Sequence, residues 1–253
     1  MNIFITGISR GLGKELAVHY SELGHKVFGF SRSLPEHPKG IAKKLYDSGN
    51  FGYYAGSVNS DADIDAAVEE AIKFMGNIDA LINNAAYKNF KMPDEITVEE
   101  YKESILTNLT APILISRKII PHFLKNGKGR IINISSNAGM VSYEGGTAYC
   151  PPKAGLINYS QSIAKFLKNN NISVNVISPP TFSTDDYRRT SPDINHSKLL
   201  QSEKIIKIID YLIFSRKFIT GKNFPLFRLK TWLKYYYYRQ FELLEYLFQF
   251  RLK

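Results

Sequence analysis

The chain opens by running a short apolar stretch, Ile3-Phe4-Ile5, straight into the turn Thr6-Gly7-Ile8-Ser9-Arg10-Gly11-Leu12-Gly13. An amphipathic segment then covers 11–23. A buried strand that must swing at once into a helix, with glycines at the bend, commits the chain to alternating β and α units. The rest of the sequence keeps that alternation. Residues 27–30 read as a strand, and 61–75 as a helix with Ile64, Ala67, Val68, Ala71 and Ile72 at i, i+3, i+4 spacing. Strands at 80–82, 130–135 and 174–177 alternate with helices at 111–124 and 154–167. Asn83-Asn84 ends one of these strands and Pro179-Pro180 another. Right-handed crossovers between such units predict an α/β fold, a doubly wound parallel sheet covered by helices on both faces.

With 253 residues, 44% of them hydrophobic, and no Pro/Gly/Ser-rich linker, the sequence suits one globular domain. We expect that domain over 1–226, with 227–253 as a basic, aromatic helical extension. Formal net charge is +10, and residues 216–253 hold nine basic and two acidic side chains, so +7 of it lies there. In the extension Leu233, Tyr237, Phe241, Leu244 and Phe248 follow helical spacing. Such a helix is expected to pack on its own domain or a neighbouring subunit, with an anionic membrane surface as the alternative. One cysteine, Cys150, excludes an internal disulfide framework and suits a reducing compartment. The absence of a basic leader and of any apolar run near 20 residues predicts a cytoplasmic protein. No recognition-helix motif or aromatic–basic strand pattern suggests nucleic-acid binding, and no metal site is expected.

Glycines between a strand and a helix aim backbone N–H groups at a diphosphate. Gly7 permits the tight turn, Gly11 the approach of the phosphates and Gly13 close helix–strand packing, with Ser9, Arg10 and Leu12 completing the surface. A carboxylate at the end of the second strand would bind a ribose 2′-hydroxyl. Here stand Ser31 and Arg32. Arg32 and Arg10 therefore point to a 2′-phosphate, hence NADP(H) as cofactor.

Tyr149 and Lys153 stand four apart, on one face of a helix, thirteen residues after Ser136. A phenol near pKa 10 needs a neighbouring cation to exchange protons at neutral pH. With these features the sequence resembles the short-chain dehydrogenase/reductase family, in its short, single-domain branch with a Rossmann fold, and is similar to 3-oxoacyl-carrier-protein reductases. The resemblance runs from residue 2 to about 226. It rests on Thr6-Gly7-x-x-x-Gly11-x-Gly13, Asn83-Asn84-Ala85, Asn108 in Thr107-Asn108-Leu109, Ser136 in Ile134-Ser135-Ser136, Tyr149, Lys153, Thr184 and Ile219-Thr220-Gly221. It implies a catalytic set of Asn108, Ser136, Tyr149 and Lys153. In that set Tyr149 moves the proton and Ser136 holds the carbonyl oxygen. Lys153 binds the nicotinamide ribose and lowers the tyrosine pKa, and Asn108 holds a relay water. Ser135 is the rival for the serine role, but strand alternation sends the two side chains opposite ways. The resemblance also implies cofactor contacts at Ser57, Val58, Asn84, Ala85, Pro179 and Thr184, and a homodimer or homotetramer.

The sequence departs from the family pattern at several positions. Ser57 replaces the usual aspartate, Ala86 follows Asn83-Asn84-Ala85 in place of glycine, and Pro180 replaces a glycine. Pro151-Pro152 would disrupt a helix interior but are tolerated in a first turn, so that helix is expected to start near Cys150, itself read as a small packed residue. Tyr187-Arg188-Arg189 falls in the family's substrate loop and suggests an anionic substrate. By the same analogy Tyr87, Lys88, Tyr143 and Glu144 line the cleft. The expected function is hydride transfer between NADP(H) and a small-molecule carbonyl or secondary alcohol, such as a nucleotide sugar or acyl thioester. The alternative is a catalytically silent dinucleotide-binding sensor or scaffold whose basic tail engages a membrane or partner.

Overall fold

A computed structural model describes residues 1–33, 45 and 47–226. The expected helical extension at 227–253 lies outside the described residues. Seven parallel strands form one sheet: β1 (Asn2–Thr6), β2 (Lys26–Ser31), β3 (Phe51–Ala55), β4 (Ala80–Asn83), β5 (Gly129–Ile134), β6 (Ile172–Ser178) and, past a two-stranded β7 (Phe182–Ser183) and β8 (Leu200–Gln201), β9 (Asn223–Pro225). Their spatial order is β3-β2-β1-β4-β5-β6-β9. The chain thus winds outward from β1 in one direction and then, from β4, in the other, which leaves a crevice at the carboxyl ends of β1 and β4.

Strand alternation builds the two cores. Ile3 and Ile5 of β1 pack on one face with Leu12 and Leu16 of α1 (Gly11–Glu22) and Ile205 and Ile209 of α7 (Ser202–Phe214). Phe4 points to the other face, against Ile64 and Val68 of α2 (Asp61–Met75) and Ile115 and Ile119 of α4 (Ala111–Asn126). Buried polar groups in the middle of the sheet pair across strands: Asn83 donates to the Asn133 side-chain oxygen at 2.8 Å, and Asn133 to Ser160 Oγ at 2.7 Å.

Two helices carry sequence devices that place the site. α3 (Val98–Ile105) begins with a reciprocal capping box between Thr97 and Glu100 and continues into α4 through one π-helical turn, Leu106–Thr110. α5 (Cys150–Leu167) has Tyr149 as its N-cap and Pro151 and Pro152 in its first turn, where their missing N–H groups have no intrahelical partner to lose. A short α6 (Asp185–Thr190) follows β7. Among the described residues no helix is long and apolar enough to cross a membrane.

Candidate active site

The turn after β1 is braced from β4. Gly7 adopts φ +74°, and a Cβ there would lie 2.7 Å from Ala85 Cα. Asn84 Nδ2 donates to the carbonyls of Thr6 and Gly7 at 3.0 and 3.1 Å, and Thr6 Oγ1 accepts from the N–H groups of Asn84 and Ala85. Asn84 thereby shapes the cofactor turn with its amide. The head of α1 has no side-chain cap of its own. Gly11 N instead donates to Asp186 Oδ2 at 2.6 Å, while Lys14 Nζ meets Asp186 Oδ1 at 2.9 Å. A carboxylate seated on these donors is direct evidence that the turn accepts an anion. Leu12 and Gly13 are buried behind it and Ser9 is half-buried. Arg10 and Arg32 are exposed at the same edge, and no described carboxylate pairs with either. These donors fit a diphosphate and a further phosphate.

The other cofactor positions have mixed duties. Ser31 is buried and donates from Oγ to the Ser33 carbonyl. Ser57 N donates to Asp63 Oδ2 and Val58 packs in the core. Pro179 is buried, with its carbonyl accepting from Asn137 N. Thr184 Oγ1 caps α6 and lies 4.0 Å from where a Gly11 Cβ would be.

The four residues of the expected catalytic set arrive on β5, α5 and the π turn. Ser135 turns inward and donates to the Lys153 carbonyl at 2.9 Å, whereas Ser136, half-buried, lines a cavity. The Ser136 hydroxyl accepts from Ala138 N at 3.1 Å and is near enough to the Tyr149 phenol to lower its pKa. Phe90 packs on the Tyr149 ring at 5.1 Å. Lys153, only 2% exposed, donates from Nζ to the Ile134 carbonyl at 3.0 Å and lies 5.7 Å from the Tyr149 ring centre. Two of its three N–H donors remain beyond that bond.

The acidities differ from the sequence expectation. Burial pushes the Tyr149 phenol up to about 12, with the nearby Ser136 hydroxyl opposing it and Cys150 adding to it. Lys153 is not among the groups that shift it. Burial, aided by repulsion from Lys88, pushes the Lys153 ammonium down to about 7. Within the polypeptide's own field, desolvation outweighs the mutual influence of the pair. Asn108 also departs from its simple reading. Its amide donates to the Tyr87 carbonyl at 2.8 Å and to Ser104 Oγ at 3.1 Å, and its oxygen accepts from Tyr87 N, so the side chain is spent on pinning the segment after β4.

A cavity of about 940 Å³ opens beside Ser136. Tyr143 and Glu144 line it as expected, while Tyr87 and Lys88 do not. Arg188 and Arg189 do not face it either: Arg188 binds Asp185, Ser183 and Gln201, and Arg189 meets Asp186 at 3.3 Å. Acids one helical turn away attract both guanidinium groups first. The cations in the cavity wall are Lys198 and Lys204, beside apolar Phe90, Leu199, Leu200 and Leu226. No motif marked these lysines, because they reach the cavity through a loop and a helix far along the chain from Ser136.

Comparison with known proteins agrees with this architecture. The sequence profile described as short chain dehydrogenase matches residues 1–195. The 3-oxoacyl-[acyl-carrier-protein] reductase FabG of Haemophilus influenzae is 33% identical over 181 residues, 72% of this chain and 74% of that protein. That of Escherichia coli is 32% identical over 189 residues, 75% and 76% of the two chains. Among solved structures, an apo SCOR enzyme from Clostridium thermocellum superposes with a TM-score of 0.74 at 26% identity, covering 89% of this chain and 90% of that one. An actinorhodin polyketide ketoreductase solved with NADPH superposes with a TM-score of 0.78 at 22% identity, covering 89% and 95%, a likeness of fold.

Proposed function

This chain belongs to the short-chain dehydrogenase family, and from that premise we propose that it is an NADP(H)-dependent reductase of small carbonyl compounds. The observation that carries the reading is the grouping of Ser136 at the cavity with the Tyr149 phenol near it and buried Lys153 behind, its ammonium 5.7 Å from the Tyr149 ring centre. A bound nicotinamide supplies the hydride. Tyr149 carries the proton for the carbonyl oxygen, and its raised pKa keeps it protonated at neutral pH, the form that reduction requires. Ser136 fixes that oxygen by a second hydrogen bond. Lys153 has donors left for ribose hydroxyls, and at about 7 it can give or take a proton at neutral pH. Asn108 acts by position, since its amide pins Tyr87 beside the site.

The phosphate preference rests on Arg10 and Arg32 with no carboxylate at the end of β2. NADPH is expected to bind about tenfold tighter than NADH or better, and Arg32→Asp to reverse the order. Equal dissociation constants in fluorescence titrations would refute the preference. For the substrate, the cavity combines an apolar body with Lys198 and Lys204, which suits a carbonyl compound bearing an anionic group. Screening ketones with and without a carboxylate or phosphate by NADPH absorbance tests this, and Lys204→Ala should raise KM for the anionic ones alone. By the same family membership the enzyme is taken to be a homodimer or homotetramer, which sedimentation would decide.

A further inference from the structure

The head of α1 holds an anion that belongs to the chain itself. Gly11 N and Lys14 Nζ both engage Asp186, at 2.6 and 2.9 Å, and the Asp186 side chain is only 12% exposed. The neighbouring Asp185 N–H donates to Glu15 Oε1 at 2.8 Å, so α6 is clasped to α1 at two consecutive residues. Partial burial raises the Asp186 pKa, but the Lys14 ammonium and the Gly11 N–H outweigh it and hold the carboxyl below its ordinary value. At neutral pH the group is therefore a carboxylate.

We propose that Asp186 is an internal competitor for the cofactor's diphosphate, and that the nucleotide binds by displacing its carboxylate from Gly11 and Lys14, releasing α6 from α1. The proposal rests on the reading of this turn as the dinucleotide site. Its physical basis is exclusion: one N–H at a helix head cannot serve two anions, and a diphosphate placed there repels the carboxylate. The consequence reaches the substrate. The chain leaving α6 supplies Ser197, Lys198, Leu199 and Leu200 to the cavity wall, so the clasp ties cofactor affinity to the wall that shapes the substrate cavity.

The test uses the full chain with Asp186→Asn and Asp186→Ser. Each keeps an acceptor for Gly11 N–H but removes the charge, and circular-dichroism melts check that each folds. NADPH and NADH are titrated by nucleotide fluorescence. Both dissociation constants should fall about tenfold in both variants, the effect of removing one charge-assisted bond from the competition, and by a similar factor because the diphosphate is common to both nucleotides. In the unmodified chain, saturation with NADPH should speed amide exchange at residues 185–190. Unchanged or weaker binding by a folded variant, or unaltered or slower exchange in the unmodified chain, would overturn the proposal and leave Asp186 as a helix cap only. If the unmodified chain binds neither nucleotide, the dinucleotide reading fails and the proposal with it. If it binds them and the variants gain nothing, the competitor role alone is lost.

Discussion

Tyr149 and Lys153 sit at one helix entrance, yet burial drives the phenol up to about 12 and the ammonium down to about 7. Tyr149→Phe removes the proton carrier while leaving the phosphate contacts alone. It should lower turnover by about a hundredfold or more with NADPH affinity unchanged, and retained activity in steady-state assays would count against the assignment. Lys153 makes a second prediction, in stability. Its folded pKa lies below the ordinary 10.5, so between about pH 7 and 10.5 the unfolded chain binds more protons than the folded one. Unfolding free energy therefore gains from this residue as pH rises through that window, and the cost of the buried charge is fully present below about pH 7. Urea titrations should show Lys153→Met most stabilised over the parent at low pH, with the difference shrinking toward pH 10.5. Ser136, Tyr149 and Lys153 were legible in the sequence because one strand end and one helix start hold them, so spacing encodes their meeting. The bond from Gly11 to Asp186 spans 175 residues, and no local pattern encodes it.

At the scale of elements, glycines and caps set how tightly the pieces meet. A Cβ on Gly13 would stand 2.2 Å from the Gly7 carbonyl oxygen and 2.5 Å from Asn84 Nδ2. Gly13→Ala should therefore destabilise the fold by about 1–3 kcal/mol and weaken NADPH binding as the turn is pushed open, both readable in one thermal-shift titration. Thr97→Ala breaks the capping box of α3 and should cost about 1 kcal/mol in urea unfolding without touching nucleotide affinity. Helices with a clear apolar stripe, such as α2, were readable from periodicity, and the prolines of α5 marked its first turn. β3 was not read from pattern: its residues are half-buried or exposed at the sheet edge and include Gly52, so no clean alternation signals it. α3 was missed for a related reason, since of its residues only Ser104 is buried.

Across the whole molecule, every strand of the seven-stranded sheet runs the same way, so the cofactor turn, Ser136 and the loop leading to α6 all emerge along one edge of the sheet. The division at residue 226 remains a proposal with its own measurement. A chain ending at Leu226 should melt cooperatively and keep its NADPH dissociation constant within about twofold, since every expected cofactor contact lies before that point. Pelleting with anionic liposomes, with and without 227–253, separates a membrane role for the extension from packing on the protein. The fold class was legible because β/α alternation is a property of the whole chain. The substrate was not, because the cavity wall is assembled from loops whose positions only the folded chain sets. The π turn at 106–110 has a last consequence at this scale. It joins α3 and α4 into one rod, and a regular α-helix of the same number of residues would rotate everything beyond the joint by about 100° relative to everything before it. Asn108 would then swing away from Tyr87, or Ile115 and Ile119 would leave the sheet. The wide turn absorbs the surplus residue, so a single rod keeps its hydrophobic stripe on the core while Asn108 at its midpoint holds the segment after β4.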